Sequence, residues 1–272
     1  MTGFAARRSA AEERERGFAL LIVLWTLVLV ALIVSHMMAV ARQETRLAAN
    51  LRTGAELGAV ADGAVHEGIF HALDNSGAHW PADGVPHRIA TRGASVEIRI
   101  RSEAGKINLN TAPGELLAAL LRETGVDREA ASGIAAAIVA WRMRPGQAPS
   151  MAAAYRQAGR GYEPPNAPFE SVRELGDVLG VTPVILARIV PYLTICHEGD
   201  VDPRAAAPAV LRALQNVYGS IPMPSGNPDE SCIEVSVTAS LAPARAGRNA
   251  IIRLGPLPAS KLYQIMTWYD VF

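Results

Sequence analysis

Three carboxylates occupy alternating positions in one short segment, at Glu198, Asp200 and Asp202. Calcium takes roughly six to eight oxygen ligands, and flexible acidic loops often supply them. No bidentate glutamate follows at the spacing of a complete calcium loop, and a solvated acidic loop explains the same pattern. Both interpretations, a calcium site and an acidic surface loop, stay open.

The chain has two cysteines, Cys196 and Cys232. In an oxidising compartment they could form one disulfide, which would connect the end of the central helical region to a strand near the C-terminus. Two free thiols fit the count equally well, because the sequence does not give the distance between them.

Enzymatic chemistry has little support. The six histidines have no zinc-ligand spacing, no serine lies in a Gly-x-Ser-x-Gly elbow, and no glycine-rich phosphate loop follows a strand. Lys plus Arg and Asp plus Glu number 26 each, which argues against a general binder of nucleic acid or anionic lipid. We therefore expect a protein that is not an enzyme and requires no cofactor, with calcium the one open case.

The N-terminal sequence has features of a proteolytic cleavage site. A charged leader ends at Gly17, and an apolar run starts at Phe18 and meets no formal charge until Arg42. Prepilin peptidases cleave Gly-Phe junctions at the start of a hydrophobic helix. Cleavage here would make Phe18 the new N-terminus and would assign the chain to a filament.

The apolar run of residues 18–41 has three interpretations. As a helix it would be about 36 Å long, and the bilayer core is about 30 Å thick. A signal peptide cut after Ala41 is one, but the run exceeds the usual signal-peptide core of about 7–15 residues. A plain single-span anchor is the second. A pilin-type anchor cut after Gly17 is the third, and the Gly-Phe boundary favours it.

The remaining elements form a helix, a sheet and a helical module. Apolar residues recur every three or four positions over 42–73, which predicts a helix with one apolar stripe. A loop is expected over 74–86, with glycines and prolines at its turns. Alternation of apolar and charged residues predicts a strand over 96–101, and the pattern predicts three more strands at 232–239, 249–254 and 262–269.

The middle region carries strong helix-start signals. Pro113 opens one helix, and Asp127 starts another that reaches Trp141. Ser171 and Glu174 have the spacing of a capping box, and Thr182-Pro183 starts a helix that Pro191 ends. The region is therefore predicted to be a helical module inserted between strands of one sheet.

The order of these motifs resembles the K-type minor pseudopilin of bacterial type II secretion (the GspK family). The residue runs that carry the resemblance are Arg16-Gly17-Phe18-Ala19-Leu20, Ile107-Asn108-Leu109-Asn110-Thr111-Ala112-Pro113, Ala140-Trp141-Arg142, Pro164-Pro165-Asn166-Ala167-Pro168-Phe169-Glu170-Ser171 and Ile189-Val190-Pro191-Tyr192-Leu193-Thr194. The resemblance implies an α+β, pilin-like fold. A long N-terminal helix packs on a small antiparallel sheet, with a large all-α insertion of the SAM or helix-hairpin-helix type.

The implied domain boundaries follow from that fold. They are a prepilin leader at 1–17, a transmembrane helix at 18–41, its periplasmic continuation at 42–74, a first α/β part at 75–107, the inserted helical domain at 108–194 and a second α/β part at 195–272. Known relatives bind calcium, which strengthens the calcium interpretation of the acidic loop.

The resemblance also implies a role and partners. The chain would lie at the tip of the type II secretion pseudopilus, anchored once in the inner membrane with its globular part in the periplasm, and would support export of folded proteins. Its partners would be the I-type and J-type minor pseudopilins, the major pseudopilin, the prepilin peptidase, the inner-membrane platform and secreted cargo, with no nucleic acid.

Most pilins carry glutamate at mature position five, where this chain has Ile22. A tip subunit has no neighbour ahead whose amine needs that carboxylate.

Two alternatives remain. A minor pilin of a type IV pilus would share the anchor, but its family does not carry the inserted motifs. A membrane-anchored helix-hairpin-helix DNA-uptake protein would need a basic face, yet residues 108–195 contain eight Lys plus Arg and eight Asp plus Glu.

Overall fold

The computed structural model of the chain describes residues 5–91, 93–144, 146, 151–197, 200–221, 232–255 and 261–271, and excludes the side chains of 5–17 and 19. The chain divides into two compact units, Met1–Glu56 and Leu57–Phe272.

The described residues of the first unit, 5–56, are helical and belong to α1, which runs over Ala5–Leu73. Its side chains are exposed from residue 20 to residue 52, and they include large apolar ones such as Trp25. In the described part of the chain, one helix, Leu20–Leu73, is long and apolar enough to cross a membrane by length and composition. This supports the predicted single-pass anchor, because an exposed apolar surface of this extent needs lipid or a protein partner to cover it.

The second unit is built around a five-stranded antiparallel sheet in the order β1-β2-β5-β6-β7. The strands span Asp83–Thr91 (β1), Ala94–Ser102 (β2), Cys232–Leu241 (β5), Ala244–Leu254 (β6) and Tyr263–Asp270 (β7). Residues 57–73 of α1 pack on one face of this sheet. The predicted α+β, pilin-like architecture is therefore confirmed for this unit.

The core between α1 and the sheet follows the predicted patterns. Val96, Ile98 and Ile100 of β2 are fully buried against the apolar stripe of α1, which includes Val65 and Ile69. The helix approaches so closely that a Cβ added at Gly68 would lie 2.9 Å from a methyl group of Val235. The glycine allows this contact, as small residues do wherever backbones meet closely.

Strand β1 corrects one prediction. Residues 74–86 were expected to form a loop, but β1 begins at Asp83 and contains Pro86, which pairs with Arg99 across an irregularity in the register. Because β1 is the outermost strand, the missing N–H of Pro86 removes no bond from an interior ladder. An edge position therefore accommodates a residue that the sequence signals as a strand breaker.

The helical module lies between β2 and β5 in sequence. It contains α2 (Gly114–Glu123), α3 (Arg128–Arg142), α4 (Ala152–Gln157), α5 (Pro183–Ile189) and α6 (Pro208–Tyr218), with 3-10 helices at Val172–Asp177 and Val190–Tyr192. These elements share one apolar core around Leu117, Leu120, Ile138 and Tyr155. Val210 and Leu214 of α6 lie in the same core, so the helical module extends beyond the predicted boundary at residue 194.

The helix-start signals hold with one correction. Asp127 accepts a hydrogen bond from Ala130 N at 2.9 Å, and Thr182 accepts one from Ile185 N. Ser171 accepts from Arg173 N, but Glu174 accepts from Glu170 N instead of Ser171 N. The segment forms a 3-10 helix, so the glutamate bonds one residue further back than in a capping box.

Candidate functional site

The two ends of the helical module meet in a short parallel ladder, which we call the insert root. Ile107–Asn108 (β3) pairs with Leu193–Thr194 (β4), with Ile107 opposite Leu193. All four residues are buried. The module is thus closed at its base by backbone hydrogen bonds between segments far apart in sequence.

Asn108 organises the insert root through three hydrogen bonds. Its Oδ1 accepts from the backbone N–H of Asn110 at 2.6 Å and of Thr111 at 3.2 Å, and its Nδ2 donates to His197 O. The residue is 5% exposed, so a buried amide side chain has partners for both of its ends. It caps the turn before α2 and also holds the chain as it leaves the module.

Asn110 holds a distant segment in the same way. Its Oδ1 accepts from Phe169 N at 2.7 Å, and its Nδ2 donates to Phe169 O at 3.0 Å. The side-chain amide thereby pairs with the backbone N–H and C=O of one residue, as a residue of a neighbouring antiparallel strand would. Phe169 is buried and stacks on Trp141, with ring centroids 5.8 Å apart.

Arg142 completes this network from the end of α3. Its guanidinium donates to the carbonyl oxygens of Leu109 and Ala112. Burial lowers the pKa of Arg142 from its usual value, because the charged form loses solvation there. Its hydrogen bonds to the two carbonyl oxygens beside the start of α2 replace part of the lost hydration.

A disulfide lies where the module rejoins the sheet. Cys196 and Cys232 are bonded, with their Cα atoms 6.0 Å apart and a sequence separation of 36 positions. Arg253 of β6 donates to Cys196 O through Nε at 3.0 Å, and Glu103 N donates to Cys232 O at 2.8 Å. The exit of the module is therefore linked covalently and by hydrogen bonds to strand β5 and its neighbours.

A buried charge cluster supports the same junction. Glu103 is fully buried and bonds to Lys106, whose ammonium also lies 3.6 Å from Glu234. Burial would lower the pKa of Lys106, but the attraction of Glu103 and Glu234 outweighs it and raises the pKa above the usual value. Lys106 therefore stays charged and neutralises carboxylates that would be costly to bury alone.

Residues 100–198 match the family model described as Type II secretion system (T2SS), protein K. The matched range contains the insert root, the Asn110–Phe169 pair and Arg142. The predicted resemblance to K-type minor pseudopilins is confirmed.

The fold agrees with the family match. A chain of the crystal structure of the GspK-GspI-GspJ complex from the type 2 secretion system of enterotoxigenic Escherichia coli is similar, with a TM-score of 0.60 and 13% identity. The alignment covers 84% of this chain and 99% of that chain. No curated protein matches the sequence. Together the family model and the fold support a minor pseudopilin role.

The motif residues of the K-type family thus have structural tasks in this chain. Asn108, Asn110, Arg142 and Phe169 lie in the sequence runs that carry the resemblance, but those runs do not indicate their partners. A local signal existed for Asn108, because asparagine before a helix start commonly caps backbone amides. Nothing local indicated the link between Asn110 and Phe169, which are 59 residues apart.

The described residues of the acidic loop do not form a metal centre. Glu198 lies outside the described residues, and Asp200 is exposed. Asp202 accepts from Arg204 N at 2.9 Å, which is a local turn contact. Among the described residues, no group of three or more His, Cys, Asp or Glu side chains is placed to hold a metal ion. Calcium binding by Glu198, Asp200 and Asp202 stays a prediction.

The processing residues lie in the helical first unit. Gly17 and Phe18 fall within α1, and the Phe18 side chain is exposed. Ile22, at the predicted filament-core position five, is exposed on the same helix. Their roles in cleavage and in filament packing stay predictions.

Proposed function

We propose that this chain is the minor pseudopilin at the tip of the type II secretion pseudopilus, where it helps initiate or cap the filament. In this position it supports export of folded proteins across the outer membrane. The observation that carries the proposal is the large helical module fixed to a pilin-like sheet by the insert root and the disulfide. A module fastened at both ends adds bulk without loosening the subunit that carries it.

The proposed route to the tip begins in the inner membrane. Prepilin peptidase cleaves between Gly17 and Phe18, and the new N-terminal amine is methylated. Residues 18–41 anchor the chain with its globular unit in the periplasm. Ile22 then fits a subunit with nothing ahead of it, because an apolar side chain there leaves no carboxylate without a partner.

The proposed partners are other filament subunits. The similar crystal structure is a complex of GspK with GspI and GspJ, and we propose that this chain likewise binds an I-type and a J-type minor pseudopilin. The major pseudopilin would continue the filament below them, and the inner-membrane platform would add subunits at the base. Secreted cargo would meet the exposed surface of the helical module.

The test is the number of copies in each filament. Pseudopili are purified in short and long size fractions, and quantitative mass spectrometry measures this chain against the major pseudopilin. A tip subunit stays at one copy per filament, so its ratio to the major subunit falls in inverse proportion to length. A ratio that is independent of length would show a subunit distributed along the filament and would refute the tip position.

A further inference from the structure

A cleft of about 520 Å³ separates the helical module from the sheet face that points away from α1. Binding sites for ligands commonly have volumes of about 300–1,000 Å³. The module contributes Val172, Pro191 and Ile195 to the walls, and the sheet contributes Ile251 and Tyr269. The cleft is therefore large enough for one or two side chains of a partner and has apolar surface on both sides.

Four residues of its sheet wall form one row of direct pairs. Arg101 of β2 pairs with Glu234 of β5, Glu234 pairs with Ile251 of β6, and Ile251 pairs with Thr267 of β7. Directly opposed residues lie on the same face of a sheet. The row therefore presents a cation, a carboxylate, an apolar side chain and a hydroxyl to the cleft in a fixed order.

The charges along the cleft are only partly matched. Glu234 lies near Lys106 and accepts a hydrogen bond from Asn249 at 3.1 Å. Arg101 and Arg173 line the same cleft, and neither forms an ion pair with any of the residues that the structure describes. The guanidinium of Arg173 instead lies 4.5 Å from the ring centroid of Tyr269. The cleft thus offers two exposed guanidinium groups beside an apolar surface.

The walls are held in place before anything binds. The insert root and the disulfide fix the module where it leaves the sheet, and Lys106 connects to both Glu103 and Glu234 across the junction. A preformed site loses less conformational entropy when it is occupied. This rigidity favours recognition of a short, defined segment.

We propose that this cleft binds an acidic peptide segment of a partner protein, with one apolar side chain between Pro191 and Ile251 and carboxylates on Arg101 and Arg173. Guanidinium groups pair with carboxylates through two parallel hydrogen bonds, which gives the charge complementarity for such a segment. The inference does not depend on the position of the chain in a filament.

The test uses the full chain in nanodiscs with labelled Ile, Leu and Val methyl groups. The probe is a pool of capped pentapeptides, Glu-Glu-X-Glu-Gly, in which X is Leu, Ile, Phe or Trp. We expect methyl shifts at Val172 and Ile251, with none at Ile98, which is buried against α1. A control pool has glutamine in place of every glutamate and should bind about tenfold more weakly, since it keeps the apolar contact and loses the charge-assisted bonds.

Matched variants assign the effect to the two arginines. The double change Arg101→Gln and Arg173→Gln should weaken binding of the acidic pool about tenfold. The control change Arg122→Gln and Arg128→Gln removes two exposed charges of the module away from the cleft and should leave binding unchanged. Four results would overturn the proposal. The first two are no shift at the cleft methyl groups up to about 5 mM acidic peptide and equal affinity for the acidic and glutamine pools. The other two are wild-type affinity of the Arg101→Gln, Arg173→Gln variant and shifts that a single-stranded oligonucleotide causes but the peptides do not.

Discussion

Asn110 and Phe169 exchange two hydrogen bonds across 59 residues of sequence, with Phe169 N donating to Asn110 Oδ1 and Asn110 Nδ2 donating to Phe169 O. This pairing ties the start of α2 to the segment before the first 3-10 helix. Because Phe169 also stacks on Trp141, the polar pair and the apolar core of the helical module depend on each other.

Replacing Asn110 by alanine should destabilise the helical module. Asn110→Ala leaves an N–H and a carbonyl of Phe169 without partners, which costs about 1–3 kcal/mol for a buried group. The control Asn216→Ala removes a single exposed contact with Glu123 and should cost less than about 0.5 kcal/mol. Urea unfolding measures both changes, and equal effects of the two variants would show that the pairing adds no stability.

The disulfide should stabilise the globular unit substantially. Closing a loop of 36 residues between Cys196 and Cys232 contributes about 3–4 kcal/mol by restricting the unfolded chain. The double change Cys196→Ser and Cys232→Ser should lower the unfolding free energy by this amount. Thiol labelling of the unfolded, unreduced wild type should give no signal, and labelling of two thiols would show that the bond does not form.

A pair of glycines in α1 should respond in opposite directions to alanine. Gly68→Ala places a methyl group 2.9 Å from Val235 Cγ1 and 3.1 Å from Ile98 Cγ2, so the helix must shift from the sheet at a cost of about 1–3 kcal/mol. Gly63 has nothing within 4 Å of the added atom, and Gly63→Ala should stabilise the helix by up to about 1 kcal/mol. Thermal unfolding of both variants decides this, and destabilisation by both would contradict the close packing at Gly68.

Lys106 should make stability depend on alkaline pH. Its folded pKa is raised above the ordinary value of 10.5, so its contribution is fully present below pH 10.5 and disappears as pH rises through the folded pKa. Lys106→Met leaves Glu103 buried without its partner and should cost about 3 kcal/mol at neutral pH. The gap between wild type and variant should narrow above pH 10.5. Burial also raises the pKa of Tyr155, but that group is present in both proteins and cancels in the difference. A gap that stays constant to pH 12 would show that Lys106 does not act through its charge.

Local sequence patterns predicted most helices and strands. They did not predict features that depend on contacts between residues far apart in sequence. Alternation identified β2 correctly, because Val96, Ile98 and Ile100 are fully buried. Strand β1 was not predicted because it contains Pro86, and a proline is acceptable there only because β1 is an edge strand. Helix α6 follows the predicted boundary at residue 194, and its Val210 and Leu214 lie in the apolar core of the helical module, a long-range contact that no local pattern indicates.

The candidate site shows the same division. The motif runs indicated the family, and the residue types gave the correct helix caps at Asp127 and Thr182. The partners of Asn108, Asn110 and Arg142 could not be predicted, because each contact depends on how the whole module folds back on itself. The cleft could not be predicted either, since three strands must pair in register to bring Arg101, Glu234 and Ile251 into one row.

The intact mass of the chain after co-expression with a prepilin peptidase measures whether it is processed as a pseudopilin. We expect loss of residues 1–17 and a mature N-terminus at Phe18 with one added methyl group. Gly17→Ala should reduce this cleavage sharply, because Gly17 is the position that the peptidase reads. Cleavage after Ala41, or an uncleaved chain beside an active peptidase, would show that the chain is not processed as a pseudopilin.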